Sequence, residues 1–127
     1  MKLLVKEAQI IEDINIYLHL YEVHNSYLLL ISDQEDMGIG NVTLGNPPTI
    51  EGIKTPTASY NFFGLNTKLL STIIVERASF MLKKPVLLLL FLKSKKKEEE
   101  IIKPLISFLN NELNKVIKKM QRVGISK

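Results

Sequence analysis

Residues 86–92 read Val-Leu-Leu-Leu-Leu-Phe-Leu and lie between Pro85 and Lys93. The run is too short to cross a bilayer, which takes about 20 apolar residues in a helix. An extended strand of this composition carries apolar side chains on both faces, as strands buried on two sides do. The stretch therefore predicts an interior strand of a sheet that is covered on both faces.

Two segments predict long helices that can cover such a sheet. The first runs from about Phe62 to Lys83, with Asn61 as its candidate N-cap and Pro85 just beyond its end. Its apolar residues recur at helical spacing. If both helices pack on one face of the sheet, a partner molecule has to cover the other face.

The second helix follows the charged run 95–100, whose glutamates suit the positive end of a helix dipole. Pro104 is tolerated in a first helical turn, so we expect this helix to begin near residues 101–103. Gly124 is the expected terminator.

The residues before these helices predict strands and turns. Apolar runs bounded by polar or glycine-rich segments predict four strands: Leu3–Ile11, Ile14–His24, Tyr27–Ser32 and a short strand within Met37–Leu44. His24-Asn25-Ser26 predicts a hairpin turn, and residues 45–60, which contain three prolines, predict a long loop. The element order predicts one α+β domain over residues 1–127, with a mostly antiparallel sheet of at least five strands and two helices packed on it.

The second strand has an unusual outer face. Its alternation places Ile14, Ile16, Leu18 and Leu20 on one face of the sheet. The opposite face receives Tyr17, His19, Tyr21 and Val23. Aromatic and amphipathic side chains of this kind are typical of surfaces that become covered in a complex. We therefore predict that the protein dimerises through the sheet, with these four residues in the interface.

Charge is distributed unevenly along the chain. The 17 basic and 13 acidic residues give a net charge of +4, but residues 1–82 carry −4 and residues 83–127 carry +8. Basic residues near the end of the last helix form a candidate partner-binding surface: Lys115, Lys118, Lys119 and Arg122. Such a patch suits an acidic protein, a nucleic acid or an anionic membrane, although a solvated helix face has the same composition.

The sequence offers no catalytic or metal-binding pattern. Cysteine is absent, and His19 and His24 are five residues apart, so they would project to opposite faces of one strand. Gly38-Ile39-Gly40 lacks the third glycine of a dinucleotide fingerprint. We therefore expect neither an enzyme nor a bound cofactor or metal.

Two alternatives remain open. A pocket under the 45–60 loop would make the chain a small-molecule-binding domain or an enzyme subunit. A basic nucleic-acid-binding module is the other alternative, but the aromatic residues Tyr17, Tyr21 and Tyr27 lie in the acidic part of the chain, away from the lysines. The N-terminal stretch carries acids among its apolar residues, which favours a strand over a signal peptide, and we expect a cytoplasmic protein without a membrane partner.

Several stretches, taken in order, resemble one family. They are Tyr27–Ile31, Asn41–Gly45, Thr55–Thr57, Gly64–Leu70, Lys84–Leu87 and Asn111–Leu113. This arrangement is similar to the small proteasome assembly chaperones, numbers 3 and 4 of the eukaryotic set, and to their archaeal relatives. The resemblance implies a six-stranded sheet with two helices, so a sixth strand is expected within residues 45–60. It also implies pairing through the sheets, with itself or a paralogue, and non-enzymatic binding of proteasome α-subunits during assembly of the 20S core.

Overall fold

The chain folds into one six-stranded sheet with two helices, seen in a computed structural model that describes residues 1–47, 58–61 and 68–122. The elements follow in the order β1 (Lys2–Ile11), β2 (Ile14–Val23), β3 (Ser26–Ser32), β4 (Asn41–Gly45), β5 (Ala58–Asn61), α1 (Lys68–Leu82), β6 (Val86–Phe91) and α2 (Glu98–Arg122). The predicted α+β class is confirmed.

The sheet is mixed, with the spatial order β1-β2-β3-β6-β4-β5. Among the described strands, only β3 and β6 pair in parallel, and the other neighbouring strands are antiparallel. The connection from β3 to β6 contains α1, which is the usual kind of crossover between parallel strands. The predicted mostly antiparallel sheet is therefore confirmed. The expected sixth strand is β5, at the end of the predicted long loop.

Both helices pack on the same face of the sheet. Tyr27 on β3 and Gly45 on β4 are both in register with Val86 on β6, so these three residues project to one side. Tyr27 contacts Met120 of α2 through its hydroxyl, and a Cβ on Gly45 would lie 2.8 Å from Val75 of α1. The apolar core therefore lies between this face and the two helices.

The interior strand predicted from residues 86–92 is β6. Val86, Leu88 and Leu90 are buried under the helices. Leu87 is 36% exposed and Leu89 is half-buried on the other face. The interior position is confirmed, but the described chain buries only one face of the strand.

The first three strands are joined by tight turns. Glu12 and Asp13 have φ values of 48° and 68°, which identifies the β1–β2 connection as a type I′ hairpin turn. His24 and Asn25 connect β2 to β3, as predicted, and Asn25 also has a positive φ of 53°. Two-residue turns of this kind fix the register of the strands that they join.

The end of α1 agrees with the prediction. Lys83 adopts a φ of 58°, and its N–H donates to the Ser79 carbonyl at 2.8 Å, which is the αL form of helix capping. Pro85 then prevents continuation of the helix. The predicted start at Phe62 lies outside the described residues, and the proposed cap Asn61 is the last residue of β5.

The predicted start of α2 near residues 101–103 is wrong, because the helix begins at Glu98. Pro104 therefore lies inside the helix rather than in its first turn, and it removes the N–H that would bond to the Glu100 carbonyl. Glu100 is exposed, and the helix continues past Pro104 to Arg122. The predicted terminator Gly124 lies outside the described residues.

A buried polar cluster joins β4 to β5. Thr43 donates its hydroxyl hydrogen to the Asn41 side-chain oxygen, and the Asn41 amide donates to Ser59 at 3.2 Å. The Thr43 and Ser59 hydroxyls are 2.9 Å apart. Since Asn41 and Thr43 are almost fully buried, these bonds satisfy polar groups that would otherwise destabilise this side of the sheet.

Candidate protein-binding surfaces

The face of the sheet that neither helix covers is a continuous, largely apolar surface, which we call the open face. It includes Leu3, Lys6, Ala8, Ile10, Tyr17, His19, Tyr21, Val23, Leu28, Leu30, Val42, Leu44, Tyr60, Leu87, Leu89 and Phe91. None of these side chains is buried in the described chain. Soluble monomers rarely expose large contiguous apolar patches, so an apolar face without a covering layer has the character of an interface.

Strand register aligns the open face into rows. One row crosses the whole sheet through directly paired residues, in the order Lys6, His19, Leu30, Leu89, Val42 and Tyr60. A second row runs through Leu3, Tyr21, Leu28, Leu87 and Leu44. Directly opposite side chains in a sheet lie about 5 Å apart, so each row forms a nearly unbroken ridge.

The structure places the four predicted interface residues together on the open face. Tyr17, His19, Tyr21 and Val23 are all half-buried, and they occupy alternate positions of β2. The rings of His19 and Tyr21 meet edge-on, with centroids 6.5 Å apart and an interplanar angle of 71°. Their role in a dimer stays a prediction.

His19 is electrostatically distinct within this surface. Burial lowers the pKa of its imidazole, and the nearby Lys6 ammonium lowers the same pKa further. The neutral imidazole is therefore favoured, and it suits an apolar interface. His24 lies one residue past the end of β2, where its ring contacts the Asn25 amide at 3.2 Å.

A second surface lies between α2 and the edge strand β1, and we call it the α2–β1 groove. It has a volume of about 360 Å³. Its lining consists of Leu4, Val5, Lys6, Glu7, Glu112, Lys115, Val116, Lys118, Lys119 and Arg122. The four basic residues predicted as a partner-binding surface are therefore brought together in one groove. These residues lie beside β1 because α2 packs against the sheet there, and the local sequence does not predict that packing.

One carboxylate in the groove is already paired. Glu112 is 7% exposed and lies 3.3 Å from the ammonium of Lys115. Lys115 itself is well exposed and is one of the residues that line the groove. On the helix side of the sheet the lining holds four basic side chains, those of Lys115, Lys118, Lys119 and Arg122, against two carboxylates. The groove is therefore suited to a negatively charged partner.

A third surface lies on the outer side of the helices. Leu69 is 57% exposed and Phe80 is 62% exposed on α1. Phe80, Ile73 and Ile106 line a shallow groove of about 320 Å³ between α1 and α2. The apolar residues of α1 thus face both the core and the outside, so this helix has no fully polar side.

Two acidic side chains, one in a loop and one at the start of α2, accept hydrogen bonds from the backbone. Asp33 accepts hydrogen bonds from the backbone N–H groups of Lys93, at 3.0 Å, and Ser94, at 2.7 Å. Glu98 at the start of α2 accepts from the N–H of Leu70 in the first turn of α1, at 2.7 Å. These carboxylates fix the chain after β6 and the relative position of the helix starts.

The part of the chain that the structure describes holds neither a metal-binding cluster nor a membrane-spanning helix. No group of three or more His, Asp or Glu side chains is placed to hold a metal ion there. No described helix is both long and apolar enough to cross a membrane. The small-molecule pocket envisaged under the 45–60 loop falls largely on residues 48–57, outside the described residues.

Comparison with known proteins shows a similarity in fold. No family model matches the chain, and no curated protein matches it in sequence. Among solved structures, the chain is similar to one from a chaperone complex for yeast 20S proteasome assembly, with a TM-score of 0.52 and 9% sequence identity. The match covers 89% of this chain and 99% of that chain. At this identity the similarity concerns the fold, which extends over nearly the whole of both chains.

Proposed function

We propose that this protein is a non-enzymatic, cytoplasmic assembly chaperone that acts as a dimer and binds α-subunits of the 20S proteasome core. The observation that carries the proposal is the open face, a six-stranded apolar surface without a covering layer in the described chain. The shared fold with a chain of a chaperone complex for 20S proteasome assembly supports the choice of client.

The first step of the proposed function is pairing through the open face. A stable interface buries on the order of 800 Å² per partner, and its centre is enriched in aromatic residues and depleted of charge. The open face meets this description, with Leu30 and Leu89 at its centre and Tyr17 and Tyr21 beside them. The partner is a second copy of the chain or a paralogue with the same face.

The second step is client binding at a separate surface. The candidate residues Lys115, Lys118, Lys119 and Arg122 lie on α2, in the helical layer on the other side of the sheet from the open face. A dimer formed through the open face therefore leaves the α2–β1 groove accessible on each protomer. This separation lets the protein hold its partner and an α-subunit at the same time.

An assembly assay tests the proposal. Purified proteasome α-subunits from the same source are mixed with the protein, and the yield and rate of α-ring formation are followed by native electrophoresis. We expect ring intermediates to form faster with the wild-type protein than without it. The Lys118→Glu/Arg122→Glu variant should lose this effect while staying dimeric. An α-ring yield that the wild-type protein leaves unchanged would contradict the proposed function.

A further inference from the structure

The outer edge of β1 is an unpaired strand edge among the described residues. β1 has 10 residues, lies at the end of the sheet and pairs only with β2. Residues 6–10 are exposed, although Lys6 and Glu7 lie beside α2, so this part of the strand is open to solvent. Alternate residues of an edge strand direct their N–H and C=O groups outward, where another extended chain can pair with them.

Part of this edge lacks the protection that edge strands usually have. Charged side chains and prolines commonly block strand addition. Ala8, Gln9 and Ile10 are uncharged, and Ile10 is 71% exposed. The edge can therefore accept another strand along this stretch.

Basic side chains lie beside the neighbouring part of the same edge, residues 4–7. Lys115, Lys119 and Arg122 recur at helical spacing on α2, and they line the α2–β1 groove together with Lys6 and Glu7 of β1. A segment that paired along residues 4–10 of β1 would thus lie beside this row of cations where it passes residues 4–7. Acidic side chains on the segment would be attracted, and basic ones would be repelled.

We infer that the β1 edge and the α2–β1 groove together bind an acidic, extended segment of a partner protein, which adds to the sheet as an outer strand. Backbone hydrogen bonds to β1 supply affinity, and carboxylates facing α2 supply specificity. The inference deepens the proposed function and rests on it for the identity of the partner, because the segment would belong to the client. The binding chemistry itself can be tested without the client.

The lining of the groove favours a polypeptide over a nucleic acid. Proteins that bind single strands usually stack the bases on aromatic side chains. The groove is lined by aliphatic and charged residues, whereas Tyr17 and Tyr21 lie on the open face. A strand edge also offers a matching hydrogen-bond pattern only to another polypeptide backbone.

The test uses a fluorescently labelled peptide that alternates Glu and Val, with the full-length protein at low salt. We expect saturable binding by fluorescence anisotropy that weakens as salt is added. A peptide that alternates Gln and Val, and a Glu–Val peptide with N-methylated backbone amides, should each bind at least about tenfold more weakly. Hydrogen exchange should show slower exchange of β1 amides when the Glu–Val peptide is bound.

Charge reversal in the groove provides the matched variants. Lys119→Glu/Arg122→Glu should weaken binding of the Glu–Val peptide roughly tenfold or more. Lys95→Glu/Lys97→Glu makes the same charge change at exposed positions before α2 and should leave binding unchanged. Circular dichroism confirms that both variants are folded.

Three results would overturn the inference: no peptide binding at low salt, equal binding by both charge-reversal variants, or displacement of the peptide by an oligonucleotide that binds more tightly. Native mass spectrometry with α-subunits separates this inference from the proposed function. Peptide binding without α-subunit binding would support the acidic-segment site in the groove and reject the α-subunit as the client. Binding of α-subunits without peptide binding would retain the client and reject the acidic-segment site.

Discussion

Leu30 on β3 and Leu89 on β6 are direct partners in the parallel strand pair, and both side chains lie on the face of the sheet opposite the helices. His19 flanks Leu30 and Val42 flanks Leu89 in the same row. The middle of the sheet is therefore apolar on both sides, although the described chain supplies a covering layer on one side only. This relationship is the basis for proposing a partner on the open face.

Charged substitutions on the open face should dissociate the dimer. Tyr21→Lys/Val23→Lys would bury two ammonium groups per protomer in an apolar interface, where the cost of removing charge from water is several kcal/mol. Both residues are half-buried in the described chain, so the monomer can keep these side chains solvated. We expect multi-angle light scattering to report a dimer for the wild type and a monomer for this variant.

The control for this experiment makes the same kind of change on the opposite side of the molecule. Leu69→Lys/Phe80→Lys alters two exposed apolar residues on the outer side of α1, and it should leave the dimer intact. A variant with Tyr21→Lys/Val23→Lys that remained dimeric would show that pairing uses another surface. Thermal unfolding of each variant confirms that loss of the dimer is not loss of the fold.

Much of this architecture was predictable from local sequence. The apolar run 86–92 identified an interior strand, and the alternation in β2 separated the core residues Ile16 and Leu18 from the open-face residues Tyr17 and His19. Both signals arise because side chains alternate between the faces of a strand. Turn residues and Pro85 marked the ends of elements for reasons that are also local.

Other features depended on contacts between distant residues. The start of α2 was misplaced because Pro104 suggested a first turn, whereas Glu98 begins the helix and accepts a hydrogen bond from Leu70 of α1. Pairing of Asp33 with the backbone after β6 likewise has no local signal. The α2–β1 groove was missed as a groove since its two walls are about 110 residues apart in the chain. The basic residues on its helical wall were nevertheless predicted from charge.

Dimer stability should depend on pH through His19. The pKa of this imidazole is lowered by burial and by Lys6, and covering the open face would bury it further. The proton then binds the monomer more tightly than the dimer, so the dimer dissociation constant should rise as pH falls below about 6.5. Sedimentation equilibrium between pH 5 and 8 measures this dependence.

Two histidine variants test the assignment of this pH dependence. His19→Asn should remove most of the change in the dimer dissociation constant between about pH 5 and 7. His24→Asn, in the β2–β3 turn, should retain this change. The same lowered pKa predicts that folding stability is full above about pH 6.5 and decreases as pH falls through the folded-state pKa. A dimer dissociation constant that does not change with pH would contradict the placement of His19 inside the dimer interface.

Gly45 should tolerate no side chain, because α1 packs directly against it. A Cβ at this position would lie 2.8 Å from a methyl group of Val75 and 3.1 Å from the Val75 carbonyl oxygen. Gly45→Ala should lower the free energy of unfolding by about 1–3 kcal/mol, measured by urea denaturation. The double variant Gly45→Ala/Val75→Ala should lose about 1 kcal/mol less free energy of unfolding than the two single variants lose together. Strictly additive losses would mean that the two residues do not clash.

The β1–β2 turn can be improved. Glu12 and Asp13 both have positive φ values, which Asn and Gly adopt with less strain. Glu12→Asn/Asp13→Gly should raise the free energy of unfolding by about 1 kcal/mol. Glu35→Asn, in an exposed turn without a positive φ, is the control and should change stability by less than about 0.5 kcal/mol. A double variant no more stable than the wild type would argue against a strained turn.

Native mass spectrometry of the protein, alone and mixed with proteasome α-subunits from the same source, tests the central claim most directly. We expect a dimer for the protein alone and a complex of that dimer with an α-subunit in the mixture. The Leu30→Lys variant, altered at the centre of the open face, should be monomeric. A wild-type protein that remains monomeric, or a dimer that binds no α-subunit, would contradict the proposed chaperone function.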